Sequence, residues 1–93
     1  MTIGLLVLEL HLPAAHSLKE KRMVVQRVRE RLRQRFNVAV AEVDHQELWQ
    51  RAELAVVSVS SSETNLRQVL EGAQGEASRL LGGDLVRSSL EIL

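Results

Sequence analysis

The sequence predicts an α+β fold built from two strand–helix–strand units, and three observations carry that expectation. Apolar residues recur at helical spacing in two stretches, each preceded by a serine with a glutamate three positions on. Four other stretches are aliphatic or β-branched over strand length. Their order is β-α-β-β-α-β. Right-handed crossovers fold that order into a four-stranded antiparallel sheet with two helices on one face, the ferredoxin-like sandwich.

Each element has its own signal. Ile3 to Leu12 is almost wholly aliphatic, with Leu6, Leu8, Leu10 and Leu12 on one face and Leu5, Val7, Glu9 and His11 on the other. Pro13 ends ladder pairing, and Ser17 with Glu20 forms a capping box that opens the first helix. Leu18, Val25, Val28, Leu32 and Phe36 make that helix's core stripe, and Asn37 can close it. Val38 to Val43 and Ala52 to Ser60 read as the second and third strands, joined by the polar segment DHQELWQ. Ser60 and Glu63 predict a second capping box, before an apolar face of Leu66, Val69, Leu70, Ala73, Ala77, Leu80 and Leu81. Gly72 and Gly75 each weaken this helix by about 1 kcal/mol relative to alanine, so its middle is expected to bend or to pack closely on a neighbour. Gly82-Gly83 stops it, and Val86 to Leu93 is the last strand, with Val86, Ser88, Leu90 and Ile92 on one side.

Ninety-three residues suit one domain spanning 1–93, and 45% apolar with 26% charged is globular composition rather than disordered. The chain has no cysteine, which removes disulfides, thiolate metal sites and thiol nucleophiles and fits a cytoplasmic setting. The apolar N-terminus has no basic flank and is broken by Glu9 and His11, short of the ~20 residues of a membrane span. It reads as a strand, and no membrane partner is expected.

Charge is distributed unevenly. Ser17 to Phe36 holds eight of the twelve basic residues and two acids, a net +6, which leaves −6 for the rest of a formally neutral chain. Such a layout steers charged partners. On a helical wheel Arg22, Arg29 and Arg33, with Gln26, run up one edge of the apolar stripe, and Arg27, Arg31 and Arg35 run up the other. Like charges four apart cost ~0.2–0.5 kcal/mol per pair, so something should compensate. Acids elsewhere on the domain or on a neighbouring copy are one reading, and simple solvation belongs with it. The other is a polyanion, foremost RNA or a ribosomal subunit, held by Lys19, Lys21, Arg22, Arg27, Arg29, Arg31, Arg33 and Arg35. The outward sheet positions carry no aromatic ring, so binding would follow the helix without base stacking on the sheet. Leu5 and Val7 on that outward face also fit a homo-oligomer or another protein-binding surface.

Chemistry-bearing motifs are sparse. Asp44-His45-x-Glu47 is the densest ligand cluster but matches no recognised metal spacing, so it reads as a turn in which Asp44 caps backbone amides and Trp49 folds back over the core's edge. There is no C-x-x-C and no glycine-rich phosphate loop, and Ser60 to Ser62 serve capping better than nucleophilic catalysis. No catalytic residue, metal, cofactor or small-molecule substrate is expected.

The stretch SLKEKRMVVQRVRERLRQRFNVAVAEVDHQELWQRAELAVVSVSS resembles the signature of the YlxP-like family of small bacterial proteins. Its marks are the S-L-K-x-K-R opening, the F-N-V-x-V-A-E-V strand and the D-x-Q-x-L-W-Q-R-A connection. The resemblance implies a ferredoxin-like domain, no established enzyme activity, and genes often beside ribosome-maturation and translation-initiation factors. It places Lys19, Lys21 and Arg22 in the family's basic opening and Asp44, Gln46, Trp49, Gln50 and Arg51 in its connection.

Overall fold

A computed structural model describes residues 1–93. Its elements are β1 (Thr2–His11), α1 (Leu18–Arg35), β2 (Ala39–Asp44), β3 (Arg51–Ser60), α2 (Glu63–Leu81) and β4 (Leu85–Ile92), with a 3₁₀ turn at Gly82–Asp84 before the last strand. The sheet order is β2-β3-β1-β4 and every pairing is antiparallel. This is the ferredoxin-like sandwich the sequence predicts.

β1 is central because it is aliphatic on both faces. Leu6, Leu8 and Leu10 meet Val28, Leu32, Leu66 and Leu70 of the helices, with Leu54 and Val56 of β3 beside them, in one core of seventeen buried residues. The opposite face of the sheet is uncovered, and Ile3, Val57 and Val59 are exposed there.

The helix boundaries follow their caps. Ser17 Oγ accepts from Glu20 N at 3.1 Å, while Glu20 reaches back to His16 N at 2.7 Å, one residue before the usual capping-box partner. α1 ends one residue early: Phe36 is its C-cap, and the Asn37 carbonyl accepts from Ser58 Oγ at 2.7 Å. The cap of α2 is Ser62, which accepts from Asn65 N, and not Ser60. Ser60 still pairs with Thr2 in the sheet, and its hydroxyl accepts from Ser62 N instead.

Two further differences have local causes. A register shift between Glu9 and Leu10 turns Leu85 inward and Val86 outward, so Val86 is exposed rather than on the core side. Gly72 packs against Phe36: a Cβ placed there would lie 2.6 Å from the ring's Cε1. The close-packing expectation holds at Gly72, whereas at Gly75 a Cβ would meet only Arg79, at 3.8 Å.

Candidate functional site

The basic helix divides into three groups once the chain is folded. Lys21 is completely buried. Its ammonium lies 2.9 Å from Glu42 Oε2 and also donates to the carbonyls of His45 (2.8 Å), Gln46 (3.1 Å) and Arg51 (3.3 Å). Four acceptors converge on three protons, so this lysine has no capacity left for an outside anion. The expectation that Lys21 binds a polyanion is therefore corrected. It pins the β2–β3 connection to the start of α1.

Arg31 and Arg35 form the second group. Both face α2 and share one carboxylate, Glu76, at 3.4 and 3.3 Å, with Arg79 as a third donor to it. Glu76 is itself buried, one of the buried residues of α2 with Leu70, Ala73 and Ala77. The Arg79 hydrogen bond, followed by the charges of Arg35, Arg79 and Arg31, holds its carboxyl below the usual range, against the opposing effect of burial. This is the compensation that the crowded arginines call for, and it is partial: one negative charge serves three positive ones. Arg31 and Arg35 remain about half exposed at 46% and 55%.

The third group is Lys19, Arg22, Arg27, Arg29 and Arg33. All five are exposed and none forms an ion pair. The outermost strip of α1 runs along Lys19, Arg22, Gln26, Arg27, Glu30 and Arg31 as a shallow open groove. Glu30, its one acid, accepts from Gln26 Nε2 at 3.0 Å rather than from an arginine. Around this surface eight exposed cations, counting Arg79, face three carboxylates: Glu20, Glu30 and Glu76. The potential there stays strongly positive.

The connection between β2 and β3 is well anchored. Besides Lys21, the Gln50 side chain donates to the carbonyls of Pro13 and Ala15 at 3.2 Å each, and Leu12 N donates to Gln50 O at 2.8 Å. Gln46 Nε2 reaches Glu42 O, and Asp44 Oδ1 accepts from His45 N at 2.7 Å, the amide-capping role expected of Asp44. His45 occupies the left-handed region at φ 64°. Trp49 does not fold over the core. It is 54% exposed and stands with Leu48 and Arg51 at the tip. Backbone anchoring decides this: the hydrogen bonds that close the connection spend Gln50 and Lys21 inward and leave the indole outside.

Sequence reasoning missed Glu42, Glu76 and Glu53. Asp44, His45 and Glu53 bring their ligand atoms within 4.8 Å of one another, where the sequence had grouped Glu47 instead. Strand pairing explains the change, since Asp44 lies opposite Glu53 across a bulge. Every buried side-chain nitrogen and oxygen has a hydrogen-bond partner. No helix is long and apolar enough to cross a membrane.

Residues 3–79 match the family model described as a protein of unknown function, DUF503. The chain belongs to this family. Over 57 residues, 61% of its length, the DUF503 chain is 40% identical to the uncharacterized protein YlxP of Bacillus subtilis (strain 168), and the match spans 62% of that relative, just under two thirds. The YlxP-like resemblance read from the three sequence blocks is thereby borne out. Among solved structures, a de novo designed protein with ferredoxin fold, LFR1 1, superposes with a TM-score of 0.58 at 10% identity, covering 100% of this chain and 83% of the other. A C-terminal segment of the alpha subunit of aIF2 from Pyrococcus abyssi gives 0.51 at 16% identity, covering 100% of this chain and 49% of that one. At these identities the likeness concerns the fold alone.

Proposed function

We propose that this DUF503 protein is a non-enzymatic binding module for structured RNA, acting in the cytoplasm through the outer face of α1. The observation that carries the reading is the unpaired set Lys19, Arg22, Arg27, Arg29 and Arg33, extended by the half-exposed Arg31 and Arg35. Guanidinium groups match phosphate geometry in bidentate fashion, and a row of them along a rigid helix suits the spaced phosphates of a duplex or folded RNA. Sheet-face stacking does not enter, because the open face carries aliphatic side chains and no ring.

Binding of a structured RNA is measured as salt is raised. The reading predicts affinity at low salt that falls steeply, with a slope reflecting several released counterions. Absence of affinity at low salt for duplex RNA, folded RNA and ribosomal subunits alike removes it.

A further inference from the structure

Glu76 gathers three guanidinium groups at one point between α1 and α2, and a single carboxylate cannot satisfy them all. Arg31 Nη1 lies 3.4 Å from Oε2, and Arg35 Nη1 lies 3.3 Å from Oε1 and 3.5 Å from Oε2. Arg79 Nη2 donates to Oε1 from three residues further along α2. No other carboxylate comes within 4.0 Å of any of the three arginines. Three positive charges against one negative leave an excess of two. Arg79 alone already gives the buried carboxylate a hydrogen-bonded counter-charge, and each added arginine brings cation–cation repulsion. The Arg31 and Arg35 contacts are also longer than the ~2.7–2.9 Å of a settled charge-assisted bond, so neither side chain is committed to Glu76.

The unspent donors call for an anion. Each guanidinium uses one terminal nitrogen on Glu76, which leaves Nη2 and Nε of Arg31 and of Arg35, and Nη1 and Nε of Arg79. The three side chains are 46%, 55% and 67% exposed, so these edges are open to solvent. Gly75 keeps one of them clear: a Cβ there would lie 3.8 Å from Arg79 Nη1, its nearest neighbour. Arg27, exposed and without an ion pair, stands one turn before Arg31 and adds positive charge at the rim.

We infer that Arg31, Arg35 and Arg79, gathered by Glu76, form a binding site for a phosphate monoester dianion. Charge and donor number both match. A monoester carries about −1.5 to −2 charge at pH 7 and three strong acceptor oxygens, to set against two excess positive charges and three guanidinium edges. A phosphate inside a nucleic-acid chain carries one charge, and so does a carboxylate, so each leaves the site half neutralised. Glu76 is a positioning residue, because it fixes where three long side chains meet before the anion arrives and so lowers the ordering cost of binding. Two sources supply such a dianion. The phosphorylated end of an RNA lying along α1 is one, and it rests on the reading above; a free phosphate ester is the other, and it does not.

Two measurements on the intact protein separate the site from its source. Inorganic phosphate is titrated against isotope-labelled protein by NMR, with chloride at matched ionic strength as the control. The Nε–H resonances of Arg31, Arg35 and Arg79 are expected to shift saturably, while those of Arg67 and Arg87, each paired with one carboxylate, stay in place. One RNA duplex is then compared with 5′-phosphate and with 5′-hydroxyl ends. The phosphorylated form is expected to bind roughly tenfold tighter, the worth of one or two hydrogen bonds to a charged group. Arg79→Gln and, separately, Arg35→Gln should abolish the phosphate shift and the end preference, and leave most of the affinity for the hydroxyl duplex. Circular dichroism confirms that each variant is folded. Glu76→Gln raises the net positive charge by one yet is expected to weaken phosphate binding; tighter binding in the folded variant overturns its positioning role. A saturable shift without an end preference upholds the site and assigns it to a free phosphate ester, even where no RNA binds. An end preference that survives both arginine variants overturns the site. So does a phosphate titration no different from chloride combined with equal binding of the two duplexes, and the RNA reading then stands or falls on the hydroxyl duplex alone.

Discussion

The Lys21 ammonium sits 2.9 Å from the Glu42 carboxylate while its own side chain is wholly excluded from solvent. The pair ties α1 to β2, and the three carbonyls that share the ammonium extend the tie across the connection to Arg51. Replacing Lys21 with methionine keeps the stem's packing but strands Glu42 and three carbonyls. The expected loss is about 3–5 kcal/mol in urea unfolding, since removing one partner of a buried pair leaves an uncompensated charge. Lys21→Met with Glu42→Leu should be less harmful than Lys21→Met alone, and that difference measures the coupling.

Glu76 makes stability depend on pH in a definite direction. Its folded carboxyl titrates below the ordinary range because Arg79 donates a hydrogen bond to it and Arg35 and Arg31 lie close. The stabilisation is therefore fully present above the unfolded carboxylate range and is lost as pH falls through the lowered value. Glu76→Gln should be less stable than the parent at neutral pH, with the gap closing well below about pH 4. Thermal unfolding across pH checks this. A gap that stays constant down to strong acid contradicts it.

Two glycines of α2 should respond with opposite signs to the same change. Gly75→Ala gains about 1 kcal/mol, the ordinary helix preference, because no close neighbour obstructs the added methyl. Gly72→Ala forces the Phe36 ring away from a position 2.6 Å from the new Cβ, and a net loss of about 1–3 kcal/mol is expected. Paired denaturant titrations of the two variants decide it.

The sequence was most legible where a pattern is local. Strand alternation in β1 and the stripe Val25, Val28, Leu32 of α1 carry their own periods, and the structure buries them as expected. Partners distant in sequence are invisible to that reasoning, and the site depends on such partners. Lys21 nonetheless had a signal: it falls three after Leu18 and four before Val25, on the apolar stripe rather than on its basic flanks. Glu76 likewise lies between Ala73 and Ala77 on the core face of α2, and Glu42 shares the side of β2 that holds Val40. A charged residue at a core position predicts a buried partner, here on another element. Trp49 had no such signal, because its exposure follows from how Gln50 and Lys21 close the connection.

Equal charge changes placed at different sites test the central claim most directly. Arg29→Glu with Arg33→Glu reverses two unpaired cations of α1, and Arg67→Glu with Arg87→Glu makes the same net change on α2 and β4, where Arg67 pairs with Glu63 and Arg87 with Glu9. The account predicts that the first pair abolishes binding to structured RNA and flattens its salt dependence, while the second leaves most of the affinity in place. Equal weakening by both pairs, or binding untouched by the first, would contradict it.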